Sequence, residues 1–145
     1  VKHAELNRIH TFIGTSPLHR AIPNLTMDEM ADKIHETVTH ARNLCENVQW
    51  SPMDATRTEW DYLCRVIEIA IKAGATTINI PDTVGYTAPM ESADLIKRLI
   101  ETVPGADEVV FAIAVADGEF DDSSVPTTSG VPTRQNRSFA KAICG

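Results

Sequence analysis

Several absences narrow the field before any motif is considered. No stretch approaches the run of about eighteen apolar residues that a membrane span requires, so no crossing segment is expected. The opening residues, VKHAELNRIH, hold no apolar signal-peptide core, and a cytoplasmic protein is the expectation. Val1 is an unusual first residue for a translation product and suggests a chain that begins partway into something longer. Basic charge is scarce. Thirteen Lys plus Arg stand against twenty Asp plus Glu, a net charge of −7. That argues against nucleic acid as the main partner, because phosphate binding needs a concentrated basic surface. Three cysteines, Cys45, Cys64 and Cys144, form no C-x-x-C pair and cannot all be joined within the chain. Buried free thiols in a reducing compartment are expected of them. Neither G-x-G-x-x-G nor G-x-x-x-x-G-K-[ST] occurs, so nothing supports a phosphate-cradling first turn. The sequence also lacks H-x-H and H-x-x-x-H, whereas a divalent ion usually takes two or more convergent ligands. No nucleophile sits on a glycine-flanked strand-to-helix elbow.

What is present is a rhythm. RIHTFIGTS (8–16) reads as a short strand and loop, closed by Gly14 and Pro17. A helix follows, opened by a capping box of Thr26 with Glu29. Its apolar stripe is expected at Met27, Met30, Ala31, Ile34, Val38, Ala41, Leu44 and Cys45. VQWS (48–51) is the second strand and PMDATRT its loop. The next helix carries Leu63, Cys64, Ile67, Ala70 and Ile71 inward and stops at Gly74. TTINI (76–80) is the third strand and PDTVGYT its loop. Pro89 opens another helix, with Met90, Ala93, Ile96, Leu99 and Ile100 expected inward. EVVFAIAV (108–115) is the fourth strand. Strands starting roughly thirty to forty residues apart, with helices between them, imply parallel pairing through right-handed crossovers. An open doubly wound sheet and a (β/α)₈ barrel both suit this rhythm. A barrel normally needs about 250 residues, so 145 residues hold about half of one. From about residue 117 the texture turns to Ser, Thr, Asp, Pro and Gly, and residues 116–145 are expected to form an irregular tail after a 1–115 catalytic unit, with SFAKAICG as a final helical turn.

In either fold the loops leaving the carboxyl ends of the strands build the site. Those ends offer His10, Thr15, Ser16 and His19; then Ser51, Asp54, Thr56 and Arg57; then Asn79, Asp82, Thr83 and Tyr86; and last Asp117 and Glu119. Each has a plainer alternative. His10 could be a histidine satisfied by a carbonyl, Asp54 and Asp82 could brace loops, and Arg57 could pair with either acid. His35 and His40, five apart on a helix, fall on different faces and read as solvated. The pattern suits a small anionic or polar metabolite and stops short of a reaction.

Taken together, RIHTFIGTSPLH, VQWSPMDATRT and AGATTINIPDTVGYT resemble the 2-isopropylmalate synthase family over residues 1 to about 112. Those enzymes are acyl-CoA-dependent synthases that share a (β/α)₈ barrel with the hydroxymethylglutaryl-CoA lyases. The resemblance implies an α/β fold, a partial TIM barrel comprising strands four to seven. It implies a Claisen-type condensation, in which the deprotonated methyl of acetyl-CoA attacks the ketone of 2-oxoisovalerate. Thioester hydrolysis then gives 2-isopropylmalate and CoA. A divalent metal (Mg, Mn or Zn) holds the oxoacid in that family and polarises its carbonyl. By the same resemblance His10 and Phe12 face the oxoacid pocket, Ser51 lies near the substrate, Thr83 hydrogen-bonds its carboxylate, and Pro81 shapes the wall. Asn79 would then point into the barrel, with Asp82 bracing the loops against Arg57.

The departures are as informative. Met53 stands where the family carries a catalytic glutamate, and a thioether transfers no proton. The family's metal-binding H-x-H falls on Ala114 and Ala116, and the Arg-Asp and Gly-Asn motifs that complete the metal site have no counterpart here. The expectation is a chain with an oxoacid rim, no metal ligands and no turnover by itself. Related homocitrate or citramalate synthases, and a non-catalytic half-barrel with a binding or assembly role, are the alternatives. Open sheet edges favour pairing, so a homo-oligomer is expected.

Overall fold

The structure is a computed structural model that describes residues 7–115. Four strands, β1 (Ile9–Gly14), β2 (Val48–Met53), β3 (Thr77–Asp82) and β4 (Val110–Val115), form one sheet in the order β1-β2-β3-β4. Every neighbouring pair is parallel. Ile9 lies opposite Val48, Gln49 opposite Thr77, and Thr77 opposite Val110. Helices alternate with them: α1 (Pro17–Ala21), α2 (Met27–Leu44), α3 (Trp60–Lys72) and α4 (Pro89–Thr102), with short 3-10 turns at Ala55–Arg57 and Ala106–Glu108.

The order decides between the two candidate folds. A doubly wound sheet reverses its strand order and covers both faces, whereas this sheet adds each strand beside the last. Among the described residues its helical cover is one-sided. Val48 and Trp50, Ile78 and Ile80, and Phe111 share one core with Ile34 and Val38 of α2, Val66 and Ile67 of α3, and Ile96 and Leu99 of α4. Strand residues alternate between faces, so Gln49, Ser51 and Met53, Thr77, Asn79 and Pro81, and Ala112 and Ala114 project from the opposite face. The sheet is a sector of a singly wound α/β barrel.

The helices follow local chemistry. In α2 the Thr26 hydroxyl accepts from Glu29 N–H at 3.2 Å and the Glu29 carboxylate accepts from Thr26 N–H at 2.8 Å, the reciprocal box read from the sequence. Its buried stripe is Met30, Ala31, Ile34, Val38 and Ala41. Met27 and Leu44 lie exposed at its ends, beyond the reach of the sheet, and Cys45 is buried as the extended residue that follows. In α3 the inward set is Tyr62, Leu63, Val66, Ile67 and Ala70, with Cys64 and Ile71 at its margins. Gly74 ends this segment at φ 107°, where a Cβ would meet the side chain of Arg42 at 2.9 Å.

Three expectations need correction. α4 turns Ser92, Ile96 and Leu99 inward, while Met90 (76% exposed), Ala93 and Ile100 face outward. Ile96 and Leu99 turn inward as expected, with Leu95 packed against the same core, so the buried face shifts toward Ser92 and Leu95 and away from Met90, Ala93 and Ile100. β2 and β3 run through Pro52 and Pro81 to Met53 and Asp82. Proline's φ suits extended backbone, and the missing N–H falls near a strand end. The loop after Gly14 contains a short helix, α1, with Pro17 in its first turn. The tail expected over 116–145, with Ala116, Asp117, Glu119 and Cys144, lies outside the described residues. Among the described residues no helix is long and apolar enough to cross a membrane.

Candidate functional site

The face without helices carries a hydrogen-bonded row across three strands. Ser51 Oγ on β2 sits 2.7 Å from Nε2 of His10 on β1 and accepts from the Asn79 amide of β3 at 2.9 Å. Asn79 is buried, which answers why a strand would hold an amide: its donor is used inside the sheet face. The Ser51 oxygen accepts from Asn79 and keeps its own proton and a second lone pair for His10 Nε2. His10's pKa lies below the ordinary 6.5, chiefly through partial burial and then through the positive charge of Arg8. Arg8 is itself tied to the side chains of Asn47 and Gln49. The Phe12 ring lies 5.9 Å from His10, tilted and largely open.

At the carboxyl ends of the strands the loops interlock. Asp54, the residue after β2, is fully buried and left-handed at φ 65°. Its backbone N–H donates to Thr83 Oγ1 at 3.0 Å, and its Oδ1 accepts from Arg57 Nε at 2.7 Å. Its carbonyl accepts from the Thr58 hydroxyl at 3.0 Å. Thr58 in turn meets the Thr15 hydroxyl at 2.7 Å. On the other side Nδ1 of His19 lies 3.4 Å from Asp54 Oδ2 and 2.9 Å from Ser16 Oγ. Burial pushes the Asp54 carboxyl up, but the Arg57 hydrogen bond, the Ser16 hydroxyl and the charges of Arg57 and His19 outweigh it, so its pKa falls below the usual value.

Asp82 braces its own loop. Its carboxylate accepts from Gly85 N–H at 3.0 Å and Thr87 N–H at 2.7 Å. Burial raises its pKa and those bonds more than reverse the shift, so the net direction is down. The expected pairing of Asp82 with Arg57 is therefore corrected: Arg57 belongs to Asp54, three residues away on the same turn. Thr83 is exposed at the rim. Because its oxygen already accepts from Asp54, its O–H remains available to an incoming acceptor.

Of the residues singled out from the sequence, His10, Ser51 and Asn79 come together directly. Phe12, Met53 and Pro81 share their face, and Thr83 stands at the rim above them. Sequence reasoning missed His19 as a neighbour of Asp54. Gly14 is the trace it left, since a Cβ there would lie 2.4 Å from the His19 Cβ. A divalent metal does not fit the residues present. The open face offers one imidazole and neutral hydroxyl and amide groups beside the alkyl Ala112 and Ala114. Among the described residues no three His, Cys, Asp or Glu side chains converge.

A one-sided α/β barrel sector with a polar row on its open face defines the class, and comparison with known proteins gives the family. The HMGL-like family matches residues 1–115, and the chain belongs to it. Residues of this chain are 52% identical over 114 positions to a 2-isopropylmalate synthase of Methylorubrum populi, covering 78% of this chain and 22% of that enzyme. A 2-isopropylmalate synthase of Nitrobacter hamburgensis is 51% identical over 118 positions, covering 81% and 23%. One from Bradyrhizobium sp. (strain BTAi1) is 53% identical over 115 positions, covering 78% and 22%. The chain thus spans under a quarter of the length of the curated relatives it matches.

Proposed function

We propose that this chain is the oxoacid-binding sector of a 2-isopropylmalate synthase-type acyltransferase, which joins acetyl-CoA to 2-oxoisovalerate in a cytoplasmic amino-acid biosynthetic step. The observation that carries the reading is the His10–Ser51–Asn79 row on the open face, with the unspent Thr83 donor at its rim. The similar proteins from Methylorubrum and Nitrobacter bear the synthase name, which favours this oxoacid over those of homocitrate or citramalate synthases.

Each residue then has a distinct task. The Thr83 hydroxyl donates to the oxoacid carboxylate. A neutral His10, hydrogen-bonded to Ser51, offers a polar wall to the ketone end without adding a charge. Phe12 and Met53 give the branched alkyl group an apolar bed, and Pro81 on β3 stiffens the wall beyond Met53. In the whole reaction a C–C bond forms between the acetyl methyl carbon and the ketone carbon, and hydrolysis of the thioester frees CoA. The proton on that methyl must go to a base, and Met53 cannot take it. Among the described residues, the share of this chain in the reaction is binding and orientation of the oxoacid.

Isothermal titration of the chain with 2-oxoisovalerate tests this. Measurable affinity is expected, weakened roughly tenfold in Thr83→Ala by loss of a hydrogen bond to a charged group. An affinity indifferent to that substitution removes Thr83 from the site. With acetyl-CoA, 2-oxoisovalerate and Mg²⁺ or Mn²⁺ together, no CoA release above background is expected. Turnover at a synthase-like rate would reverse the assignment of Met53 and Ala114. The reading also expects self-association through the β1 and β4 edges. A monodisperse monomer with one cooperative melt would count against that part.

A further inference from the structure

Three loops meet at one buried residue that the binding scheme has so far left unused: two at its side chain and the third at its backbone N–H. We infer that Asp54 is a positioning residue: its carboxylate, anchored by Arg57 and faced by His19, fixes the left-handed turn whose N–H aims the Thr83 hydroxyl at a substrate carboxylate. This rests on the oxoacid reading of Thr83.

The case begins with the backbone. A non-glycine residue at φ 65° is uncommon and needs its surroundings to hold it, although Asp tolerates that region better than most. Here hydrogen bonds hold three of the residue's four polar atoms. Oδ1 takes the Arg57 guanidinium, the carbonyl takes Arg57 N–H and the Thr58 hydroxyl, and the N–H goes to Thr83. Oδ2 is buried without a hydrogen-bond partner, and the imidazole of His19 closes on it at 3.4 Å. That approach is built into the fold, because Gly14 leaves no side chain where His19 rests.

The consequence concerns direction. Thr83 is exposed and on a loop, so an unconstrained hydroxyl there would rotate freely among its rotamers. Accepting from Asp54 N–H fixes the oxygen's lone pair toward β2 and turns the proton away from it. A hydroxyl oriented in advance loses less freedom on binding. The loop after β1 thereby reaches the Thr83 hydroxyl just beyond β3 through one buried acid just beyond β2.

The test uses the full 145-residue chain. Amide hydrogen exchange at residue 54 and titration calorimetry with 2-oxoisovalerate and with its methyl ester are compared in wild type, Thr83→Val, Asp54→Asn and Arg57→Lys. Asn keeps the size and tolerates the left-handed backbone, so that substitution removes the charge with little new strain. In Thr83→Val, exchange at residue 54 should quicken roughly tenfold as its acceptor disappears. In Asp54→Asn, exchange should quicken similarly and affinity for the oxoacid should fall roughly tenfold, while affinity for the ester, which lacks the carboxylate, stays within about twofold. Arg57→Lys keeps the charge without the planar fork and should fall between. Wild-type exchange and affinity in Asp54→Asn would overturn the inference, as would equal losses for acid and ester, which mark a purely structural role. Should Asp54→Asn fail to fold, Thr83→Val and Arg57→Lys decide by the same criteria. If wild type binds no oxoacid, the functional reading fails on that result alone, and unchanged exchange in Thr83→Val separately overturns the coupling.

Discussion

Neighbouring residues of β2 live in different chemistries. Val48 and Trp50 meet Val66 and Ile67 under the helices, while Gln49 and Ser51 face the open side and are held by hydrogen bonds from Arg8 and Asn79. On the helix side a side chain is fixed by shape, since its neighbours fill the space around it. On the open side it is fixed by donors and acceptors, and some of those remain unspent. The two faces of one sheet therefore separate the residues that hold the chain together from the residues that can receive a ligand.

The largest effect should come from crossing that divide by truncation. Trp50→Ala, at a site 1% exposed, should lose about 3–5 kcal/mol. That is a large share of the roughly 5–15 kcal/mol that holds a domain folded, so the variant should be unfolded or nearly so. Phe12→Ala, at a site 64% exposed on the other face, should stay within about 0.5 kcal/mol. Urea unfolding of the two variants measures the contrast. A comparable loss in both would break it, and would mean that something covers the open face in solution.

A smaller effect sharpens the picture within the open face. Ser51→Ala leaves the Asn79 amide buried without its acceptor, a loss of about 1–3 kcal/mol. Asn79→Ala alone removes the same bond from the other end. If the bond is the shared cause, the double variant should lose clearly less than the sum of the single losses. Additive losses in a double-mutant cycle would show that each residue is held by something else.

The sequence was legible where periodicity and packing coincide. The strand-helix alternation, the Thr26–Glu29 box and the middle of the α2 stripe followed from spacing, while Met27 and Leu44, expected inward at its ends, are exposed. α4 was misjudged only at Met90, Ala93 and Ile100, while Ile96 and Leu99 turn inward as expected. Apolar residues lie on both sides of that pair, and only the sheet decides which of them turn inward. The polar row was half legible: the placement of Asn79 inside an apolar strand signalled an inward donor, but its partner Ser51 is twenty-eight positions away and set by register. Arg57 illustrates the limit. Two acids were within plausible reach, and the left-handed turn at Asp54 chose between them.

The smallest effect is in pH, and it also divides by region. His10 on the open face has a pKa held below 6.5, first by partial burial and then by the charge of Arg8, so the fold favours its neutral form. That contribution is complete above pH 6.5, the value in the unfolded chain, and fades as pH falls from there through the lower folded value. Asp82 in the β3 loop has a carboxyl held below 3.8, where hydrogen bonds from Thr87 and Gly85 outweigh burial, so the fold favours its anion. Its contribution is complete above that value and is lost only at more acid pH. Urea unfolding across pH 7.5 to 3 should therefore show two separate declines of stability. His10→Gln should flatten the upper one and leave the lower; Asp82→Asn should lessen the lower, which the lowered carboxyl of Asp54 also feeds, and leave the upper. If His10→Gln left the upper decline intact, the imidazole would feel neither the sheet face nor Arg8, and the neutral wall assigned to the ketone end of the substrate would lose its physical basis.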